Sequence, residues 1–238
     1  MILRRRQFVA GSAALGAAWL AGPLAGCASS PLRATAVAPG VTRVNLGAVT
    51  VTSIADGSFS RALDAGFVKN APLEQVQAAL REAGLPTDKV DIPFNPLLVE
   101  SGSQRILIDA GFGEFGPPTA GKTLANLAAA GVDPKSITAC VISHFHGDHI
   151  QGLRNKAGDL TFPNAKVYVP TPEWNFWMDD ARMSSAPEAL KGAFATARRV
   201  FGPLVKSVVR FEPGAQVLPG LRSEAAFGLN RPERDGAS

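Results

Sequence analysis

The sequence contains very little histidine, cysteine and tyrosine for its length. Its 238 residues include three histidines, two cysteines and one tyrosine. Two cysteines exclude the dense disulfide framework of small secreted domains. The net charge of +4 is also small, and Arg4, Arg5 and Arg6 account for most of it. Because the rest of the chain has no basic excess of the kind that nucleic-acid-binding proteins carry, we expect no nucleic-acid partner.

The three histidines are concentrated in one segment, residues 144–149, which also contains Asp148. This segment follows an apolar run at residues 138–143 that is typical of a buried strand. In open α/β sheets, functional sites commonly form at the carboxyl ends of the strands. Imidazole nitrogens and carboxylate oxygens are donors that Zn²⁺ accepts. The segment therefore predicts a metal site in preference to a chance group of polar loop residues. Since residues i and i+2 of an extended segment point to the same side, His144 and His146 should reach one ion.

The pattern His-x-His-x-Asp-His resembles the signature of the metallo-β-lactamase superfamily. The similarity also includes residues 49–57, 95–99, 106–111 and 115–117, and it is greatest to the methyl parathion hydrolase-like branch of periplasmic hydrolases. The resemblance implies an α/β fold, the αβ/βα sandwich of that superfamily. It also implies a zinc-dependent hydrolase that uses a metal-activated water to cleave ester, lactone or phosphotriester bonds in a small-molecule substrate.

The resemblance implies a role for each polar residue of the segment. His144 and His146 would hold the first metal, and Asp148 and His149 the second. Asp148 would also act in catalysis by holding the remaining proton of the attacking water. A complete site would carry two Zn²⁺ ions, with Mn, Fe or Co as alternatives. Asp109 matches a family aspartate and is expected to orient the ligands, although an aspartate before a glycine also fits a turn cap.

Three aromatic residues, Phe115, Trp177 and Phe194, match positions where that hydrolase branch lines its leaving-group pocket. An aromatic-lined pocket favours an aryl or otherwise apolar substrate. The helical spacing of Trp174, Phe176 and Trp177 is also typical of a packed core. The sequence leaves both alternatives open.

The sequence does not contain the whole ligand set that the resemblance implies. A complete site needs a third histidine for the first metal, then a bridging aspartate and a last histidine for the second. No fourth histidine is present, and residues 229–238 lack the histidine-containing pattern of the family. We therefore expect a domain at residues 41–228 that is truncated or frameshifted after Gly228, with the second half of the sandwich largely missing. A catalytically inactive remnant is the alternative function.

Residues 1–27 are predicted to be a twin-arginine export signal. The arginine pair precedes a weakly apolar stretch at residues 9–24 that is short for a membrane span, and an N-terminal membrane anchor is the alternative. The stretch ends in a box similar to that of lipoproteins, which predicts a periplasmic protein tethered to a membrane through lipidated Cys27. Simple cleavage is the other possibility. Residues 28–40 are predicted to be a linker, residues 229–238 a tail, and the oligomeric state is unknown from sequence.

Hydrophobic periodicity predicts one layered α/β domain without internal repeats. The predicted strands are residues 41–46, 49–54, 95–100, 105–109, 138–143, 166–169, 205–211, 216–218 and 221–227. The predicted helices are residues 72–83, 121–130, 172–180 and 187–201. Cys140 lies on a predicted buried strand and should behave as a small hydrophobic residue.

Overall fold

The elements of the fold lie between residues 33 and 226, the part of the chain that the computed structural model describes. The strands there are β1 (Thr35–Ala38), β2 (Val41–Leu46), β3 (Val49–Ile54), β4 (Gly57–Ala62), β5 (Lys89–Phe94), β6 (Leu97–Ser101), β7 (Gln104–Ile108), β8 (Ala139–Val141), β9 (Lys166–Pro170), β10 (Val209–Phe211), β11 (Gln216–Leu218) and β12 (Leu221–Arg222). The helices are α1 (Leu73–Glu82), α2 (Thr123–Ala129), α3 (Gly147–Ile150), α4 (Thr171–Trp177), α5 (Asp180–Ser185) and α6 (Glu188–Phe201). The predicted export signal, Cys27 and the tail at residues 229–238 lie outside the described residues.

Eight strands form one mixed sheet in the order β1-β2-β3-β6-β7-β8-β9-β10. Neighbouring strands are antiparallel from β1 to β7 and parallel from β7 to β10. The predicted central position of β8 is confirmed, since β7 and β9 flank it on either side. The carboxyl ends of these three parallel strands share one edge of the sheet. Polar residues that follow them are therefore brought together.

Helices cover one face of the sheet and build the main core on it. Cys140 in β8 is fully buried, as predicted, and it packs in this core with Leu127 of α2. Phe194 and Phe201 of α6 are also buried there. α6 turns these two phenylalanines toward the sheet and leaves Glu188 and Lys191 to the solvent. Such a division between an apolar and a polar face is what fixes a surface helix on a core.

The opposite face of the sheet has a smaller apolar cluster. Ile106, Ala139 and Val141 are buried there. Val217 and Leu221 of the β11–β12 hairpin pack against them. The apolar cover on this face therefore comes from a short two-stranded hairpin, whereas helices cover the other face.

Several sequence predictions are wrong in detail. The strand predicted at residues 221–227 ends at Arg222 within the described residues. Residues 35–38 were expected to be linker but form β1, an exposed edge strand paired through its backbone with β2. The antiparallel pairing of β4 with β5, two strands on either side of α1, was missed, because Pro93 in β5 is a residue that normally argues against a strand. The strand predicted at residues 205–211 is confined to Val209–Phe211, since residues 205–207 form a turn that continues from the 3₁₀ turn at Gly202–Leu204. None of the helices between residues 33 and 226 has the length and apolarity to cross a membrane.

Candidate active site

The histidine segment is held at the edge of the sheet by the residue between its first two histidines. Phe145 is 1% exposed, and its ring stacks on Phe201 with the ring centroids 4.3 Å apart. In an extended segment, a side chain that points inward makes both neighbours point outward. The half-buried His144 and the exposed His146 therefore lie together on the other side of the segment, with their ring centroids 4.6 Å apart. Burial of one aromatic ring fixes the position of two imidazoles.

The four predicted ligands lie in two adjacent pairs. Nε2 of His144 is 3.1 Å from Nδ1 of His146. Nε2 of His149 is 3.0 Å from Oδ2 of Asp148. The ring centroids of His144 and His149 are 3.9 Å apart, so the two pairs are in contact. α3 begins directly after His146, and this turn brings Asp148 and His149 back toward the first pair.

Asp109, at the end of β7, joins the neighbouring strand ends. Its carboxylate accepts hydrogen bonds from the backbone N–H and the hydroxyl of Ser143, both at 2.8 Å, and contacts Nδ1 of His149 at 2.8 Å. Its φ of 62° lies in the left-handed region, where a residue other than glycine costs about 1–3 kcal/mol. The hydrogen bonds offset that strain. The structure therefore places Asp109 where it orients His149.

Burial and hydrogen bonding act in opposite directions on the charges of the cluster. Burial, together with the positive charges of the nearby His149 and His146, lowers the pKa of His144 to about 4. Burial also lowers the pKa of His149, but hydrogen bonds to Asp109 and Asp148 outweigh burial and raise the pKa to about 9. Burial raises the pKa of Asp148, yet its hydrogen bond to His149 leaves that pKa below the ordinary value. At neutral pH, His144 is thus neutral while His149 carries a charge between two carboxylates.

A carboxylate from α4 fixes the histidine segment from the other side. Oε2 of Glu173 accepts the backbone N–H of Phe145 at 2.8 Å and the indole N–H of Trp177 at 3.1 Å. α4 begins at the carboxyl end of β9, so Glu173 reaches the segment from the neighbouring strand. Asp109, directly after β7, and Glu173, in the helix that follows β9, therefore bind the segment from the two sides of β8.

A buried carboxylate holds the loop that follows Asp109. Asp56 is 0% exposed. Its Oδ2 accepts the backbone N–H groups of Phe112 at 2.9 Å and Gly121 at 3.2 Å, and its Oδ1 accepts the N–H and the hydroxyl of Thr123. Gly111 has a φ of 71°, and a Cβ atom there would come within 2.5 Å of Oδ1. The loop thus approaches the carboxylate more closely than a larger residue would allow.

A cavity of about 370 Å³ opens beside the histidine segment. Ser143, His144 and Glu173 form part of its wall. Phe211 and Leu221, together with other residues of the β10–β12 region, supply an apolar surface. A mostly apolar cavity with a few polar groups on one wall is the usual form of a small-molecule site.

The structure corrects the predicted substrate pocket. Trp177 and Phe194 are 7% and 1% exposed and pack against each other in the main core, with ring centroids 4.8 Å apart. They face inward because α4 and α6 use them to cover the sheet. Phe115 lies in a second cavity together with Arg154 and Arg199, and His144 does not line that cavity. The aromatic residues therefore do not form a common wall around the histidines.

The donor set fits a divalent metal in chemistry but not in number. In a tetrahedral zinc site, two ligand atoms that each lie about 2.0–2.1 Å from the ion are roughly 3.3 Å apart. The donor atoms within the two pairs of this site are separated by a similar distance, 3.1 Å and 3.0 Å. However, no group of three or more histidine, cysteine, aspartate or glutamate side chains between residues 33 and 226 is arranged to hold a metal ion. A catalytic zinc ordinarily has three protein ligands. Among the described residues, each pair of donors is thus one ligand short.

Sequence reasoning missed three residues of this site. Ser143 carries a weak signal, since it directly precedes the first histidine. Asp56 also has one, because it ends a β-branched run just before Gly57. Glu173 has none, since its role depends on how α4 packs beside β8.

The chain is similar to known proteins in sequence and in fold. The family model described as the Metallo-beta-lactamase superfamily matches residues 95–227. No curated protein matches the chain significantly. The solved structure of AidC, a dizinc quorum-quenching lactonase, is 24% identical with a TM-score of 0.69, and the match covers 76% of this chain and 64% of that one.

Two further solved structures have a similar fold. AbOPH, a hydrolase in the beta lactamase superfamily, is 26% identical with a TM-score of 0.66, over 75% of this chain and 62% of that one. A probable metal-dependent hydrolase from Staphylococcus aureus is 22% identical with a TM-score of 0.58, over 74% of this chain and 63% of that one. The chain thus spans less than two thirds of the length of these structures.

Proposed function

The chain belongs to the metallo-beta-lactamase superfamily, and we propose that its histidine segment is the metal-binding part of a hydrolase site. The proposal rests on one observation: His144, His146, Asp148 and His149 form two contacting donor pairs beside a largely apolar cavity. The sequence likeness to a hydrolase, AbOPH, supports the reaction class. The substrate class we propose is an ester, lactone or phosphotriester with an apolar group, and the metal we propose is zinc. Placement in the methyl parathion hydrolase-like branch and export to the periplasm are proposals from the sequence.

The residues of this chain have separable tasks in the proposed site. His144 and His146 would hold one metal, and Asp148 and His149 a second. When bound, the metal supplies an acidified water and polarises the bond under attack. Asp109 fixes the ring of His149 through Nδ1, and Asp148 offers a carboxylate oxygen that can hold a proton beside it. Leu221 and Phe211 would exclude water from the apolar part of the substrate.

A second candidate function is a catalytically inactive member of the superfamily. It is favoured by the shortage of ligands, because the chain has three histidines and the described residues show no group of three or more metal ligands. Losing one ligand from a site lowers metal affinity by orders of magnitude. We therefore expect this chain by itself to bind zinc weakly.

Zinc titration tests where the metal binds. The purified chain should hold well under one tightly bound zinc in competition with a chelating dye, and His146→Ala should weaken the remaining uptake about tenfold or more. Asp148→Asn should act in the same direction. Asp64→Asn is the matched control, since Asp64 is an exposed carboxylate whose partners are Arg61 and Gly66. Unaltered zinc uptake by His146→Ala would contradict the proposed site.

Turnover separates the two candidate functions. Nearly two zinc ions per chain by elemental analysis, with hydrolysis of an aryl ester, lactone or phosphotriester, would establish that this chain is an active hydrolase. Less than one zinc and no turnover, with uptake still dependent on His146, would establish the inactive candidate.

A further inference from the structure

A second cavity, of about 190 Å³, is lined by basic groups and by none of the histidines. Its positive charge comes from Arg154, Lys156 and Arg199, and the apolar part of its wall comes from Phe115 and Pro203. No ion pair to any of these three basic side chains is formed within residues 33–226. The cavity is too small for a drug-sized molecule, but it is several times the roughly 30 Å³ that one water occupies.

Arg154 is the buried one of the three basic residues that line this cavity. It is 8% exposed. Its Nε donates to the carbonyl of Val200 at 2.9 Å and its Nη1 to the carbonyl of Gly158 at 2.6 Å. Its Nη2 has no hydrogen-bond partner within the described part of the chain. The two carbonyls fix the guanidinium in place and leave its remaining donors for the cavity. A buried charge without a counter-ion is costly, so a partner for it would be strongly favoured.

Arg199 presents a second guanidinium to the same space. Its Cζ lies 3.7 Å from the centroid of the Phe115 ring, so the ring contacts the guanidinium through its face. The N–H donors of a guanidinium lie in its plane, and stacking leaves them available. Burial is the larger cause that lowers the pKa of Arg199, and the positive charge of Arg154 is the second cause. The two arginines therefore lie close enough to repel each other.

Acidic groups near the cavity do not neutralise it. Glu114 is exposed, and its Oε2 accepts the backbone N–H of Lys156 at 2.6 Å. Asp159 is also exposed and contacts Asn155 in the same turn. Neither of these two carboxylates lines the cavity, and neither pairs with one of its three cationic side chains.

We propose that this cavity is a binding site for a small oxyanion, held by the guanidinium groups of Arg154 and Arg199 and the ammonium group of Lys156. Planar guanidinium groups bind the oxygens of phosphate, sulfate or carboxylate through paired N–H donors. Phe115 and Pro203 leave room for a short apolar group attached to the anion. The proposal is independent of the proposed hydrolase function, because the histidines take no part in it.

Calorimetric titration of the full chain with sodium phosphate tests the site. Divalent metals are first removed on a chelating resin, and ionic strength is fixed with sodium chloride. Phosphate should bind with saturation at one site per chain, and sulfate should compete with it. A parallel titration with sodium acetate then shows whether the site binds a carboxylate or only a tetrahedral anion. Arg199→Gln and Lys156→Gln should each weaken binding about tenfold or more, the loss expected for one charge-assisted hydrogen bond.

Two control variants distinguish this site from general attraction and from the histidine segment. Arg210→Gln removes an equal charge from an exposed arginine that contacts a different ring, Trp174, and should leave phosphate binding unchanged. His149→Gln should also leave it unchanged. The proposal is overturned if no saturable binding of phosphate, sulfate or acetate occurs. It is equally overturned if either control weakens binding as much as Arg199→Gln does.

Discussion

Replacement of Asp56 by asparagine isolates the contribution of the buried carboxylate. Each of its oxygens accepts two hydrogen bonds, one oxygen from Phe112 and Gly121 and the other from Thr123 alone. The amide NH₂ of asparagine cannot accept, so whichever oxygen it replaces, at least one backbone N–H loses its partner. The less costly orientation of the asparagine directs its NH₂ group at Thr123. The hydroxyl of Thr123 can then rotate and accept a hydrogen bond from the NH₂ group, whereas the backbone N–H of Thr123 is left without an acceptor. One buried donor without a partner costs about 1–3 kcal/mol, and the lost charge weakens the remaining bonds.

We therefore expect Asp56→Asn to lower the free energy of unfolding by about 2–4 kcal/mol. Urea unfolding followed by circular dichroism measures this value, with the slope of the transition checked for constancy. Asp64→Asn is the control at an exposed aspartate that also accepts a backbone N–H, and its transition midpoint should stay near that of the parent. A change below about 1 kcal/mol for Asp56→Asn would refute the assignment of Asp56 as the anchor of this loop.

Three further outcomes are expected. Glu173→Ala should weaken zinc uptake more than Glu173→Gln does, because glutamine still offers Phe145 an acceptor oxygen; equal losses would argue against that hydrogen bond. Phe194→Ala should lower the free energy of unfolding by about 3–5 kcal/mol in urea titrations, whereas a pocket residue would change it little. In chelator-treated protein, stability should be greatest near pH 6.5. Below that pH the unfolded chain protonates His144 while the folded chain, with a pKa of about 4, does not. Above it the stabilisation from protonated His149 is lost as the pH rises through about 9. A stability that does not change between pH 6.5 and 9 would contradict this role of His149.

The sequence predicts the strands well where a β-branched run is bounded by a residue that favours a turn. β2 and β3 have the predicted bounds, because two β-branched runs meet at Gly47, which has a φ of 65°. The central place of β8 follows from three consecutive apolar residues that are buried on both faces. The clustering of the histidines likewise follows from local alternation, since Phe145 points inward and its neighbours point outward.

The parts that could not be predicted depend on contacts distant in sequence. Trp177 matches a pocket position in the resembling branch, but its orientation depends on the packing of α4 against α6, which no local pattern records. Asp56 binds residues 56 to 67 positions away. From the sequence alone, an aspartate before a glycine is typical of a turn, and its contacts with the distant loop cannot be predicted. β1 has an exposed, mixed sequence and is a strand because β2 offers it a free edge.

The histidine segment is shaped by acidic residues outside the motif that identifies it. Asp109 accepts the N–H of Ser143 and Glu173 accepts the N–H of Phe145, so alternate backbone groups of the segment are bound from β7 and from α4. Asp56 fixes the loop after β7, and that loop returns to α3 where Ala110 donates to the carbonyl of His149 at 2.8 Å. A ligand set held in this way resists rearrangement, because moving one imidazole breaks a charge-assisted hydrogen bond elsewhere. The geometry of the donor pairs is therefore a property of the whole sheet edge.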